Sequence, residues 1–257
     1  MTSKLQQLIR THLLLIISIA MLLFNLSLIL SLTAFNLIVW STPENRIVYI
    51  IFFYHVSGAW LSYLSFGISL VSHILFFKYK RNIKVEKSKY QLINWNRLGT
   101  NSIIVGLFFI AFTLITGSIF YNATSGGYNN IFWQWSDARQ TMTLVLFLSY
   151  LSYLIFRSMI EDKEKKAKLS SALGIVLFPT VPLSYISAII FTSLHPLITP
   201  DSSKSGGIYW DGLKLFILFF NLIALTIFFV YVVKNLNSLD KTKDKLEEII
   251  QKRLLEE

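Results

Sequence analysis

The chain predicts an all-α membrane protein, a six-transmembrane-helix bundle, on three observations. Of its 257 residues 54% are hydrophobic, and mean hydropathy is +0.56. Six apolar runs are each long enough for a helix to cross hydrocarbon about 30 Å thick. Lys and Arg alternate from loop to loop, dense in one and sparse in the next. Continuous runs argue against a β-barrel, whose strands alternate, and helices satisfy their own backbone in lipid.

The runs cover roughly 13–37, 50–77, 101–121, 141–156, 170–191 and 213–233. The first is too long for a signal peptide and lacks a small-residue cleavage site. Lys and Arg gather in the N-terminal segment, in 78–97, in 157–168 and after 233, which together hold 20 of the 24. The positive-inside rule then places both termini on the inner side and loops 38–49, 122–140 and 192–212 outside. The inner charge runs read as solvated anchors at the lipid surface. The whole of 1–257 reads as one integral membrane domain, with an inner-side helix over 234–257. The net charge of +10 is therefore a matter of topology and calls for no nucleic acid. No cysteine is present, which removes disulfide, thiolate-metal and cysteine-nucleophile chemistry. The lean to Ile, Leu, Phe, Asn and Lys resembles coding from an AT-rich genome, mitochondrial or bacterial.

The outer segment 122–141 is the unusual one. Ser125-Gly126-Gly127 can break a helix, and the run Phe132-Trp133-Gln134-Trp135-Ser136-Asp137-Ala138-Arg139 follows. An interfacial aromatic belt accounts for a lone Trp. A cluster joined to one acid and one guanidinium suits a flat, apolar, partly anionic ligand. Four histidines occur. His12 and His73 fall near the inner side without a visible partner and read as interfacial or packing residues. His55 lies near the outer end of span two and His195 just past the outer end of span five, on the face that carries the tryptophans. Ionisable groups at membrane depth are costly and tend to be functional, and paired imidazoles can fill both axial positions of haem iron. Zinc-ligand spacing is absent, as is a serine or acid arrangement for nucleophilic catalysis.

Residues 132–141 resemble the tryptophan-rich WWD motif of haem-handling proteins, in particular the haem exporter protein C (CcmC) family of cytochrome c maturation system I. His55-Val56-Ser57-Gly58-Ala59-Trp60 is similar to that family's His-Val-Pro-x-Ala-Trp. The stretch from Pro182 to Thr192-Ser193-Leu194-His195 is similar to its Pro-to-Thr-Leu-His segment. Ser136 separates Trp135 from Asp137, and Ser57 stands in the place of proline. The resemblance implies haem b bound on the outer face, with His55 and His195 as axial iron ligands. It sets Phe132, Trp133, Trp135 and Trp60 around the porphyrin and Arg139 on a propionate, and has Asp137 orient Arg139 or cap the next helix. It further implies delivery to a CcmE-like haem chaperone and release by ATP-driven CcmA and CcmB. The chain has no phosphate-binding loop of its own. It implies a non-enzymatic protein of the mitochondrial or bacterial inner membrane.

Three other readings compete. A b-type electron-transfer subunit would pair histidines across the bilayer, and His12 and His73 lack matches. A small-solute transporter would carry midplane charges or broken helices. The spans hold mainly Asn25, Asn36 and Asn221, although Pro179 and Pro182 can break span five. A structural respiratory subunit explains neither the aromatic loop nor the histidines. Among haem handlers, CcmF is longer and CcsA carries extra spans and a further histidine.

Overall fold

A computed structural model describes residues 2–35, 48–81, 86–124, 132–191 and 212–256. Among them it is all helical: α1 (Thr2–Ala34), α2 (Val48–Arg81), α3 (Glu86–Thr124), α4 (Ala138–Ser158), α5 (Lys163–Leu177), α6 (Thr180–Ile190) and α7 (Gly212–Glu256). Six helical units are long and apolar enough to cross a membrane, as predicted. Many large apolar side chains, Leu23, Phe24, Phe108, Ile115 and Val176 among them, face outward. Lipid satisfies such a surface and water does not.

Two predicted elements differ in detail. α3 runs on through Thr124, so the predicted loop 122–141 opens later than expected. Span five is two helices, α5 and α6, broken at Phe178-Pro179. Proline lacks the N–H that a helix interior needs and displaces the preceding carbonyl. The freed groups are taken up locally. Phe178 N–H donates to Ile175 O, Val181 N–H to Phe178 O, and Thr180 Oγ1 to Leu177 O. Such local repair is how a broken helix survives at membrane depth.

The central contact is α2 against α3. Three rings on α2, His55, Phe66 and His73, sit on three glycines of α3, Gly117, Gly106 and Gly99. The steps of eleven and seven residues are the same on both helices, run in opposite chain directions, and correspond to three and two helical turns. The contact is thus one antiparallel stripe in register. A Cβ at Gly117, Gly106 or Gly99 would meet its ring at 2.8, 2.8 or 2.6 Å. Small residues extend the close approach. Ser57, Ser65 and Ser72 are buried on α2 and return their hydroxyls to the carbonyls of Phe53, Leu61 and Ile68. Phe66 then stacks on Tyr150 of α4 with centroids 3.8 Å apart, at the middle of the largest core cluster.

At the basic end the core turns polar. His73 is fully buried, with Nδ1 3.1 Å from Ser171 Oγ and Nε2 3.4 Å from Tyr153 Oη. The sequence suggested an interfacial or packing residue without a partner. The structure corrects the partner: α5 and α4 supply them, 98 and 80 residues along the chain. Asn96 donates to Ser171, and Arg157 donates to Asn96 and Ser170. His12 also acquires a partner, Tyr231 Oη at 2.6 Å on α7. α7 is held at its far end by Arg97–Asp244 and by Asn101, which donates to Asn237 and Asp240.

The glycine seats make the stability expectation specific. Gly174 of α5 covers the other side of His73, where a Cβ would meet its ring at 2.5 Å, whereas Gly67 has nothing within 4 Å. Gly99→Ala and Gly174→Ala are expected to lose about 1–3 kcal/mol to overpacking. Gly67→Ala should be neutral or stabilising, by helix propensity. Thermal unfolding of the three variants in detergent checks the ordering.

Candidate haem-binding site

His55 lies on α2 at the end of the bundle away from the basic loops, partly exposed. Its Nδ1 is 3.1 Å from Thr116 Oγ1 on α3. That hydroxyl can donate to Phe112 O at 2.7 Å while it accepts from His55 Nδ1. The backbone of Thr113 is a further hydrogen-bond partner of His55. A hydroxyl in this place restrains the orientation of the ring. Gly117 fits the ring's side, where no Cβ has room.

His55 opens into a cavity of about 120 Å³ that Asp137, Arg139, Gln140, Tyr63 and Tyr121 also line. The structure thus brings together three predicted site residues: His55, Asp137 and Arg139. Arg139 sits 5.3 Å from the ring centroid of Tyr185 on α6 and has no carboxylate partner among the described residues. A guanidinium with an aromatic on one side and a cavity on the other is set to receive an anionic group.

Asp137 is 6% exposed and caps α4, its carboxylate accepting Gln140 N–H at 2.9 Å. One of the two roles expected for it, capping the next helix, is thus present as a hydrogen bond. Gln140, three residues on, reaches back to accept Gln134 N–H at 2.8 Å and to donate to Phe132 O at 3.3 Å, a variant of the capping box. Thr141 Oγ1 donates to Trp135 O at 3.0 Å. The first turn of α4 therefore pins the aromatic loop. Ser136 stands in the turn, where Asp137 N–H donates to Gln134 O. Phe132 and Trp135 are 53% and 72% exposed, and Trp133 meets Trp135 edge-on at 5.7 Å. The Trp133 indole N–H is buried without a hydrogen-bond partner among the described residues.

The other predicted residues are not gathered here. Trp60 lies on a different side of α2, against Phe219 of α7 with centroids 6.4 Å apart, and does not line the cavity. His195 lies outside the described residues. Sequence reasoning missed Thr116, Gly117, Tyr121 and Tyr185. A Thr-Gly pair inside an apolar span has no local mark, and only the α2–α3 register shows that it serves His55.

The description "Cytochrome C assembly protein" fits residues 1–195. The chain belongs to the cytochrome c assembly protein family. Within the family it is similar to the heme exporter protein C of Bradyrhizobium diazoefficiens, 28% identical over 181 residues, 70% of this chain and 62% of the relative. A putative cytochrome c biosynthesis ccmC-like mitochondrial protein of Marchantia polymorpha is 29% identical over 162 residues, 60% of this chain and 61% of the relative. A like-named protein of Arabidopsis thaliana is 30% identical over 152 residues, 59% and 49% of the two chains. The chain thus spans between half and three-fifths of the length of these curated relatives. The span matched by the family includes His55, the aromatic loop and His195.

The cap gives an expectation independent of any ligand. Asp137→Ala should cost about 0.5–2 kcal/mol by removing the α4 cap, and Asp137→Asn should recover most of it. Unfolding midpoints of the two variants measure the difference. A larger loss for Asn than for Ala would mean that the carboxylate charge, and not its cap, matters there.

Proposed function

We propose that the protein binds haem at the His55–Arg139 face and passes it to a haem chaperone of the CcmE type during c-type cytochrome biogenesis. The observation that carries this reading is the pairing, in one cavity, of an imidazole backed by the Thr116 hydroxyl and a guanidinium with no carboxylate partner among the described residues. The first is built for iron and the second for a propionate. The chemistry of the donor set fits haem b, held by coordination alone. The exposed Phe132 and Trp135 and the orphan N–H of Trp133 supply aromatic faces and a donor at the same face. Family membership supports the assignment.

In this reading His55 would hold the iron and Arg139 a propionate, from the two sides of the cavity that they share. His195 is proposed as the second axial ligand, on its motif alone. The protein acts by binding and orientation without bond chemistry, and any ATP is used by CcmA- and CcmB-type partners. We assign the His55 face to the outer side of a mitochondrial or bacterial inner membrane, with the termini on the matrix or cytoplasmic side, on the Lys and Arg distribution.

Absorption spectra of the detergent-purified protein, with and without a CcmE-type chaperone, test the reading. Wild type should show a Soret band that the chaperone depletes. His55→Ala should lose most of it. Arg139→Gln should keep the band position but bind more weakly, by about tenfold for one charge-assisted pair of 1.5 kcal/mol or more. Wild-type haem content and an unchanged spectrum in His55→Ala would sink the axial assignment, and no Soret band under any condition would sink haem handling.

Thr116→Val removes the acceptor behind His55 while keeping the side-chain shape. Haem should still bind, but a shifted Soret position or a lower affinity is expected because the imidazole loses the hydrogen-bond partner that orients it. A spectrum and affinity identical to wild type would show that Thr116 does not tune the ligand.

A further inference from the structure

At the basic end of the bundle a groove of about 640 Å³ runs between α2, α3 and α7. Its walls are apolar: Ile68, Leu98, Phe229 and Val233. Its rim is not. Lys234, Ser238 and Lys241 border it from α7. The two lysines are seven residues apart, two helical turns, and so lie on one face. Neither has a carboxylate partner among the described residues. The nearby acids are engaged elsewhere. Asp244 and Asp240 face Arg97, and Asp240 also accepts from Asn101.

The depth of the rim is fixed by those same contacts. Asn237, between the two lysines, bonds Asn101 of α3, and Arg97 follows one turn nearer the basic end. This is the level at which the interior changes from Phe66 and Ile103 to Thr100, His73 and Arg157. A lipid-facing apolar slot that ends at that level in two unpaired ammonium groups and a hydroxyl matches an amphiphile with an acyl chain and an anionic phosphate headgroup.

We propose that this groove is a binding site for an anionic phospholipid in the leaflet at the basic end. The acyl chain lies along Ile68, Leu98, Phe229 and Val233, and the headgroup phosphate lies between Lys234 and Lys241. The site is remote from His55 and does not depend on the haem reading. Lysines near an anionic surface are each worth about fivefold in binding. Scattered surface lysines would give charge preference without a site, so the test separates the two.

The full-length protein in a neutral detergent is titrated with phosphatidylglycerol and with phosphatidylcholine of the same acyl chains, and bound lipid is counted by native mass spectrometry. Wild type should prefer phosphatidylglycerol by tenfold or more. Lys234→Gln with Lys241→Gln should lose that preference, and Lys241→Gln alone should lose part of it. Lys165→Gln with Lys168→Gln removes the same charge from an exposed part of α5 and should keep it. Inorganic phosphate should not compete, because the acyl chain supplies part of the affinity. Equal binding of both lipids by wild type, an equal loss in the α5 pair, or displacement by phosphate would each overturn the site.

Discussion

The close approach of α2 and α3 is the constraint on which the remaining geometry rests. Lipid offers no hydrophobic drive between helices, so their association depends on packing and interhelical polar contacts. Here packing is achieved by seating rings on bare backbone. His55, Phe66 and His73 occupy one stripe of α2, and Gly117, Gly106 and Gly99 receive them. A shift along the axis would move every ring off its glycine at once, so the three seats lock the register together. Thr116 then falls beside His55 and Thr100 beside Tyr153 without further adjustment.

The same device gives two histidines opposite roles. At the basic end His73 is closed in by Gly99 and Gly174, bonded at both nitrogens, and fully buried. It has no route to a ligand and ties α2 to α4 and α5. At the other end His55 is seated on Gly117 beside Thr116, and it borders a cavity. His55 thus borders open space that His73 lacks. What separates them is the fourth wall. α5 supplies it for His73, and past the break at Phe178-Pro179 α6 instead sends Tyr185 toward Arg139.

Much of this was legible in the residues, and the exceptions follow a rule. Six spans came from hydrophobic length alone, because lipid imposes a one-dimensional code. The cap at Asp137 was one of two roles open to it, since Asp is preferred ahead of a helix. Convergence of His55, Asp137 and Arg139 on one face followed from counting spans. Tertiary register was out of reach. Thr116, Tyr185 and the partners of His73 and His12 lie tens to hundreds of residues from what they touch. Trp60, which the motif resemblance set beside the porphyrin, packs instead against Phe219, because five residues along a helix turn a side chain well away from His55.

The architecture separates rigid from adaptable parts around the cavity. The rigid parts lie behind the site. His55 is locked from α3, and Arg139 follows directly on the cap that starts α4. The parts that would cover a ligand, Phe132 and Trp135, are exposed and held mainly through backbone oxygens by Gln140 and Thr141. Side chains held this way can turn without disturbing the helices beneath them. Fixed side chains behind an adaptable aromatic surface are what the proposed function asks for, since a ligand that is handed on must be placed accurately and still be released.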